Sequence, residues 1–227
     1  MKATNKKKAE KGHTRKAYAG IRQMMFRNEI TPGQKIAYRD LAERLGMSQT
    51  PIIQALKWLE FQGLVRHEPN RGYYTEPVSL QEVGEIYELR ELIEISLLPE
   101  TLKRMGRDEL QQLRSALDAH FEASREIYLC DRLVRDMEFH LTLAALSGRN
   151  VQQQALRNLF DLLYLKYGGN ILFSTSMERA DSDHRELFDA VSDRNLKGAR
   201  RILSRHIGNV KAHVLKGLER MQGDRPF

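Results

Sequence analysis

Asp136 and His140 stand four residues apart, so on a helix both side chains project from one side. Leu133, Met137 and Ala144 share that side, an apolar setting in which a carboxylate is costly unless something answers its charge. His184 precedes Leu187, Phe188 and Val191 at helical spacing, and His206 lies in the stripe Leu196, Ala199, Leu203, His206, Val210. Three imidazoles and one carboxylate carried by three helices can converge in a bundle core. Such a set suits zinc first, with nickel or manganese as alternatives. Taken one at a time, the same histidines also fit a plainer role as satisfied core residues. His213 repeats the stripe one heptad after His206, but seven residues advance about 10 Å along a helix, too far to share one small ion. His13, His67 and His120 lack these surroundings and are expected at the surface. The single cysteine, Cys130, is expected to be inert.

The elements that must bring these groups together are long helices. From Ser79 onward the sequence carries helical periodicity and no strand signal, with helices expected near 79–104, 108–126, 130–147, 150–172, 178–193 and 195–219. Ser79-Leu80-Gln81-Glu82 fits a capping box, Pro77 marks a boundary before it, and Gly106, Gly148 and Gly168-Gly169 interrupt the later helices. The N-terminal part has a different texture. A first helix is expected over 14–29, broken by Thr31-Pro32-Gly33, and a second from Tyr38 to Leu45, ended by Gly46. Ser48 is placed to N-cap a third helix, with Pro51 in its first turn and Ile52, Ala55, Leu56 and Leu59 inward. Leu64–His67 and Tyr73–Glu76 flank a Pro/Asn/Gly turn and predict a β-hairpin. The expected fold is mainly α. An N-terminal winged helix-turn-helix of three helices and a hairpin occupies 14–77, an all-α helical bundle occupies 78–222, and a disordered basic tail covers 1–13.

Charge divides the chain in the same way. Residues 1–78 hold 15 Lys and Arg against 7 Asp and Glu, whereas 79–227 hold 22 against 23, so the net +7 resides in the N-terminal third. That is the footprint of a polyanion-binding module joined to a neutral one. No apolar run approaches the ~20 residues that span a bilayer, and the basic start is not followed by an apolar stretch. With a lone cysteine, these features predict a cytoplasmic protein without a membrane partner.

The ordered run Ile30-Thr31-Pro32-Gly33-Gln34-Lys35-Ile36, Asp40-Leu41-Ala42-Glu43-Arg44-Leu45-Gly46-Met47-Ser48, Thr50-Pro51, Ala55-Leu56, Leu59-Glu60, Gly63-Leu64-Val65 and Arg71-Gly72 resembles the GntR family of transcription regulators. The resemblance implies that the third helix enters the major groove of double-stranded operator DNA. It also implies that Arg39, at the start of the second helix, contacts phosphate or base, and that Arg71 and Gly72 form the wing tip. Ser48 and Thr50 can donate to phosphates. The recognition helix departs from the family's usual Ser-Arg-Thr-Pro-Val-Arg-Glu-Ala-Leu, reading Ser48-Gln49-Thr50-Pro51-Ile52-Ile53-Gln54-Ala55-Leu56. Gln49 and Ile53 replace two arginines. Glutamine pairs with adenine where arginine prefers guanine, so the operator is expected to differ from the family norm.

Residues 79–220 resemble the FCD ligand-binding domain of the FadR-like branch. Asp136-Met137-Glu138-Phe139-His140, Asp183-His184-Arg185-Glu186-Leu187 and Arg201-Ile202-Leu203-Ser204-Arg205-His206-Ile207 match its three blocks, and Ser147-Gly148-Arg149-Asn150 matches its helix break. The resemblance implies Asp136, His140, His184 and His206 as metal ligands, and a small organic acid as effector. Arg90 matches an arginine of the first FCD helix that faces the effector cavity, with a surface pair to Glu94 as the alternative. Glu94 and Asn150 are further candidates for the cavity or its surround. The function so implied is a homodimeric transcription regulator, a repressor, and not an enzyme. Two rivals remain at this level. One is a metal-dependent hydrolase, although no clear general base other than Glu138 stands beside the motif. The other is an architectural DNA-binding protein without an effector.

Overall fold

The computed structural model describes residues 2–125, 129–167 and 178–223, with side chains over 12–123, 133–167 and 181–222. Among the described residues the chain divides into two compact units, one of residues 2–78 with 164–167 and the other of residues 79–163 with 178–223.

The first unit contains α1 (Lys2–Phe26), β1 (Lys35–Ile36), α2 (Tyr38–Arg44), α3 (Gln49–Phe61), β2 (Arg66–Glu68) and β3 (Gly72–Tyr74). Ala17, Ile21, Met24 and Met25 on α1 are buried against α3, whose Ile52, Ala55, Leu56 and Leu59 are fully enclosed. Each large aliphatic side chain in that seam contributes ~1.5–3 kcal/mol by leaving water. Gly20 permits a close approach, because a Cβ there would stand 2.7 Å from Leu45 Cδ2. α2 ends as its sequence dictates. Gly46 takes φ +62°, and its N–H and that of Met47 return to Glu43 and Ala42 carbonyls. α1 starts at Lys2, within the stretch set apart from the sequence as a tail, in keeping with the helix preference of its Lys, Ala and Glu residues.

The wing pairs β2 with β3 in antiparallel register, Glu68 opposite Gly72 and Arg66 opposite Tyr74. β1 joins the other edge of β3, giving the order β1-β3-β2. This third strand is absent from the hairpin expected from sequence. Two residues carry no periodicity of their own, and β1 exists only by pairing. Buried Thr75 fixes it: its N–H donates to Gln34 O at 2.9 Å and its hydroxyl to Thr31 O at 2.6 Å, while Gln34 N donates back to Thr75 Oγ1 at 2.8 Å.

The second unit contains α4 (Leu80–Arg104), α5 (Arg107–Arg125), α6 (Leu129–Leu146), α7 (Asn150–Asp161), α8 (Glu178–Ser192) and α9 (Leu196–Gly223), and a π-helical turn over Leu162–Lys166 follows α7. Ser79 caps α4 by accepting from Glu82 N at 3.2 Å. α4 packs on α9, α6 and α7, α5 packs on α6 and α8, and α8 packs on α9. Thr101 Oγ1 reaches the carbonyl of Leu143 at 3.2 Å and fastens α4 to α6. The fold is therefore mainly helical, with a small antiparallel sheet in the first unit and a helical bundle in the second. Residues 168–172 of the expected fourth bundle helix, including Gly168-Gly169, and the side chain of Cys130 lie outside the described residues.

Candidate functional site

α6, α8 and α9 each turn an apolar face inward, and that packing carries the four polar residues with it. Asp136 and His140 on α6, His184 on α8 and His206 on α9 each offer one donor atom, all within 4.8 Å of one another. The three histidines are buried and Asp136 is half-buried. His184 Nε2 lies 3.1 Å from His140 Nε2 and 3.4 Å from Asp136 Oδ1, and His140 Nε2 lies 3.9 Å from the same oxygen.

The surroundings fix which nitrogens face the centre. Glu94 Oε2 accepts from His140 Nδ1 at 2.6 Å, so the His140 proton sits on Nδ1 and Nε2 presents a lone pair. Glu94 is held in turn by Arg90, whose Nε donates to Oε1 at 2.7 Å. His206 Nδ1 makes a long contact of 3.5 Å with Asp183 Oδ2, and Asp183 accepts from Arg205 at 2.6 Å.

Protonation states suit a cation. Burial, reinforced by the neighbouring charge of His206 and His140, holds the His184 imidazole well below its ordinary value. Burial also lowers His206, against the opposing pull of Asp183. Burial pushes the Asp136 carboxyl up, but the positive fields of His140 and Arg90 outweigh it and hold the group at about 2. Glu94 stands at about 2 by the same balance, burial opposed by His140 and Arg90. Near neutral pH the centre thus presents uncharged imidazoles at His184 and His206 and an ionised Asp136 carboxylate, the forms that bind metal. The residues fit a divalent ion, with three nitrogens and one oxygen as donors.

Arg90 is buried, not at the surface, although its i+4 pair with Glu94 is present; its guanidinium packs 4.4 Å from the Phe160 ring centre. Glu94 touches a candidate ligand directly. Asn150 is exposed in the first turn of α7, whereas the three histidines of the cluster are buried. His213 is exposed on α9, and His13 and His67 are exposed as expected. His120 corrects the expectation of a surface residue. It is buried on α5, with Nε2 at 3.1 Å from His184 Nδ1 and 3.0 Å from Asp181 Oδ1. A signal was present, since Leu113, Leu117 and His120 follow helical spacing, the criterion applied to the other histidines.

In the first unit Arg39 on α2 and Ser48, Gln49 and Thr50 at the start of α3 are all exposed. Ser48 occupies the N-cap position but makes no side-chain cap bond. Arg71 is 74% exposed on the turn before β3, within reach of Glu68 at 3.1 Å, and Gly72 opens the strand at φ +104°. Thr14 donates to Gln54 at 2.6 Å, fastening α1 to α3.

Comparison with known proteins agrees with both units. The model of the gntR family of bacterial regulatory proteins matches residues 13–74, and the FCD domain model matches residues 85–209. The chain is 25% identical over 206 residues to the uncharacterized HTH-type transcriptional regulator YdhC of Bacillus subtilis (strain 168), covering 89% of this chain and 91% of that protein. It is 26% identical over 215 residues to the HTH-type transcriptional regulator LutR of the same organism, covering 86% and 97%. Among solved structures, E. coli McbR/YncC shares the fold with a TM-score of 0.78 at 18% identity, over 90% of this chain and 97% of that one. These similarities are to transcription regulators rather than enzymes, which removes the hydrolase alternative. The chain belongs to the GntR family of bacterial DNA-binding transcription regulators and carries an FCD domain as its C-terminal unit.

Proposed function

We propose that this regulator is a repressor whose operator binding is controlled by a small organic acid seated on a divalent metal in the helical unit. The observation that carries the proposal is the convergence of Asp136, His140, His184 and His206, from three helices, on one point. Zinc is the first candidate, with nickel or manganese also compatible with three imidazoles and a carboxylate. The bound metal supplies a Lewis acid for an effector carboxylate. Arg90, whose positive field already reaches Asp136, adds cationic charge beside the centre. Glu94 and Arg90 keep His140 aimed. A ligand gripping α6, α8 and α9 at once can favour one arrangement of those helices over another, which is the condition for shifting a DNA-binding equilibrium.

On DNA, Arg39 and Arg71 serve as phosphate-facing cations. Ser48 and Thr50 donate to phosphates, Gln49 reads a base edge, and Gly72 lets the wing backbone approach closely. A homodimer reads two half-sites, and linkage of two modules compensates for the few base contacts of each. Leu89 and Leu92 on α4, 49% and 67% exposed, offer an apolar face suited to such pairing. The test combines elemental analysis of protein purified without chelator with operator binding in a panel of organic acids. Stoichiometric metal and release of DNA by an acid support the proposal. A protein that takes up no zinc, nickel or manganese overturns its metal part, and a monomer on saturated operator in sedimentation overturns its dimeric part.

A further inference from the structure

The four-residue cluster leaves a buried histidine unexplained. His120 is 1% exposed, and its Nε2 stands between His184 Nδ1 at 3.1 Å and Asp181 Oδ1 at 3.0 Å. An imidazole nitrogen carries a proton or a lone pair, not both, so these contacts dictate one another. With a proton on Nε2, His120 donates to the Asp181 carboxylate and to a bare His184 Nδ1. The His184 proton then sits on Nε2 and points at His140 Nε2, 3.1 Å away. His140 Nε2 is a bare acceptor, because Nδ1–H donates to Glu94. These tautomers satisfy all of those contacts without a cation.

A metal ion on the His184 Nε2 lone pair forbids that arrangement. The His184 proton must move to Nδ1, where it faces His120 Nε2, and two N–H groups cannot meet at 3.1 Å. We infer that His120 is a positioning residue for His184: its bare Nε2 accepts from the Nδ1–H of metal-bound His184, in exchange for its contact with Asp181. Each ring keeps one proton, which changes nitrogen, so the exchange itself releases none. Asp181 lies in the first turn of α8, which ties metal occupancy to the seating of α5 against that turn. The inference rests on the metal centre proposed above.

Partners of this kind outside the ligand set are worth ~10–100-fold in metal affinity. Zinc affinity of the full chain is measured by chelator competition near pH ~8, above the ordinary imidazole range. His120→Phe preserves the buried ring and removes the acceptor, and its affinity is expected to fall ~10–100-fold. His120→Gln has an amide oxygen to accept from His184 and an N–H to donate to Asp181, and recovers most of that loss. A purely structural role for the ring would not separate the two variants in this order. Nitrogen-15 imidazole spectra of the wild type give a second readout that needs no variant to fold. His120 Nε2 is expected protonated without zinc and bare with it. A Phe variant that binds zinc as tightly as the wild type, or a His120 Nε2 that stays protonated on loading, overturns the inference. A wild type that takes up no zinc instead overturns the metal centre itself, before any variant is compared.

Discussion

Glu94 Oε2 accepts a 2.6 Å hydrogen bond from His140 Nδ1, joining α4 to α6 across 46 residues of chain. Both side chains are at most 2% exposed, so the bond is made in a low-dielectric interior where its geometry is held. Glu94→Gln keeps the shape but removes the charge that Arg90 and His140 share. Metal affinity, read by chelator competition, is expected to drop ~10–100-fold. The same variant leaves Arg90 without its carboxylate, and thermal melting is expected to show a loss of ~3–5 kcal/mol. An unchanged melting curve and unchanged affinity would remove Glu94 from the site.

The proposed ligand set predicts a sharp contrast along α9. His206→Ala and His184→Ala are expected to lose stoichiometric metal and any thermal stabilisation by zinc. His213→Ala, exposed one heptad further on, is expected to keep both and to change stability by no more than ~0.5 kcal/mol. Elemental analysis and melting curves of the three variants check this.

Stability of the metal-free protein is expected to depend on pH in two windows. His184 and His206 are held below their ordinary value by burial, so below ~6.5 the unfolded chain binds protons that the folded chain refuses. Stability therefore falls as pH drops below that value and is level above it. Asp136 and Glu94, held at about 2 against ordinary values of 3.8 and 4.5, contribute stability above those ordinary values. That contribution is lost as pH falls from there to about 2. Chemical denaturation across the range in the presence of chelator measures both windows. A stability that rises on acidification through the histidine range would contradict the burial argument.

On DNA, Arg39→Ala and Arg71→Ala are each expected to weaken binding across sequences and to lower the salt slope by ~0.9. Gln49→Arg is expected to shift one position in each half-site towards guanine. Binding-site selection with the wild type and the Gln49 variant checks the second expectation, and identical motifs would take Gln49 off the base edge.

By itself, the sequence determined the mainly helical class, the wing hairpin and the inward faces of the helices, because these follow from local periodicity and from breakers such as Gly46, Gly106 and Gly148. It also supplied the four residues of the centre, since a histidine or aspartate on an apolar face is conspicuous within its own helix. Only the tertiary structure decided which nitrogens face inward. His140 is oriented by Glu94, 46 positions away, and His184 by His120, 64 positions away. Hydrogen-bond partners of that separation leave no mark in either local pattern. β1 shows the same division. Lys35 and Ile36 become a strand only because Tyr74 and Tyr73 lie opposite them. The physical reason is common to all three cases: periodicity records which face of an element leaves water, whereas a hydrogen bond depends on which atoms of other elements then arrive there.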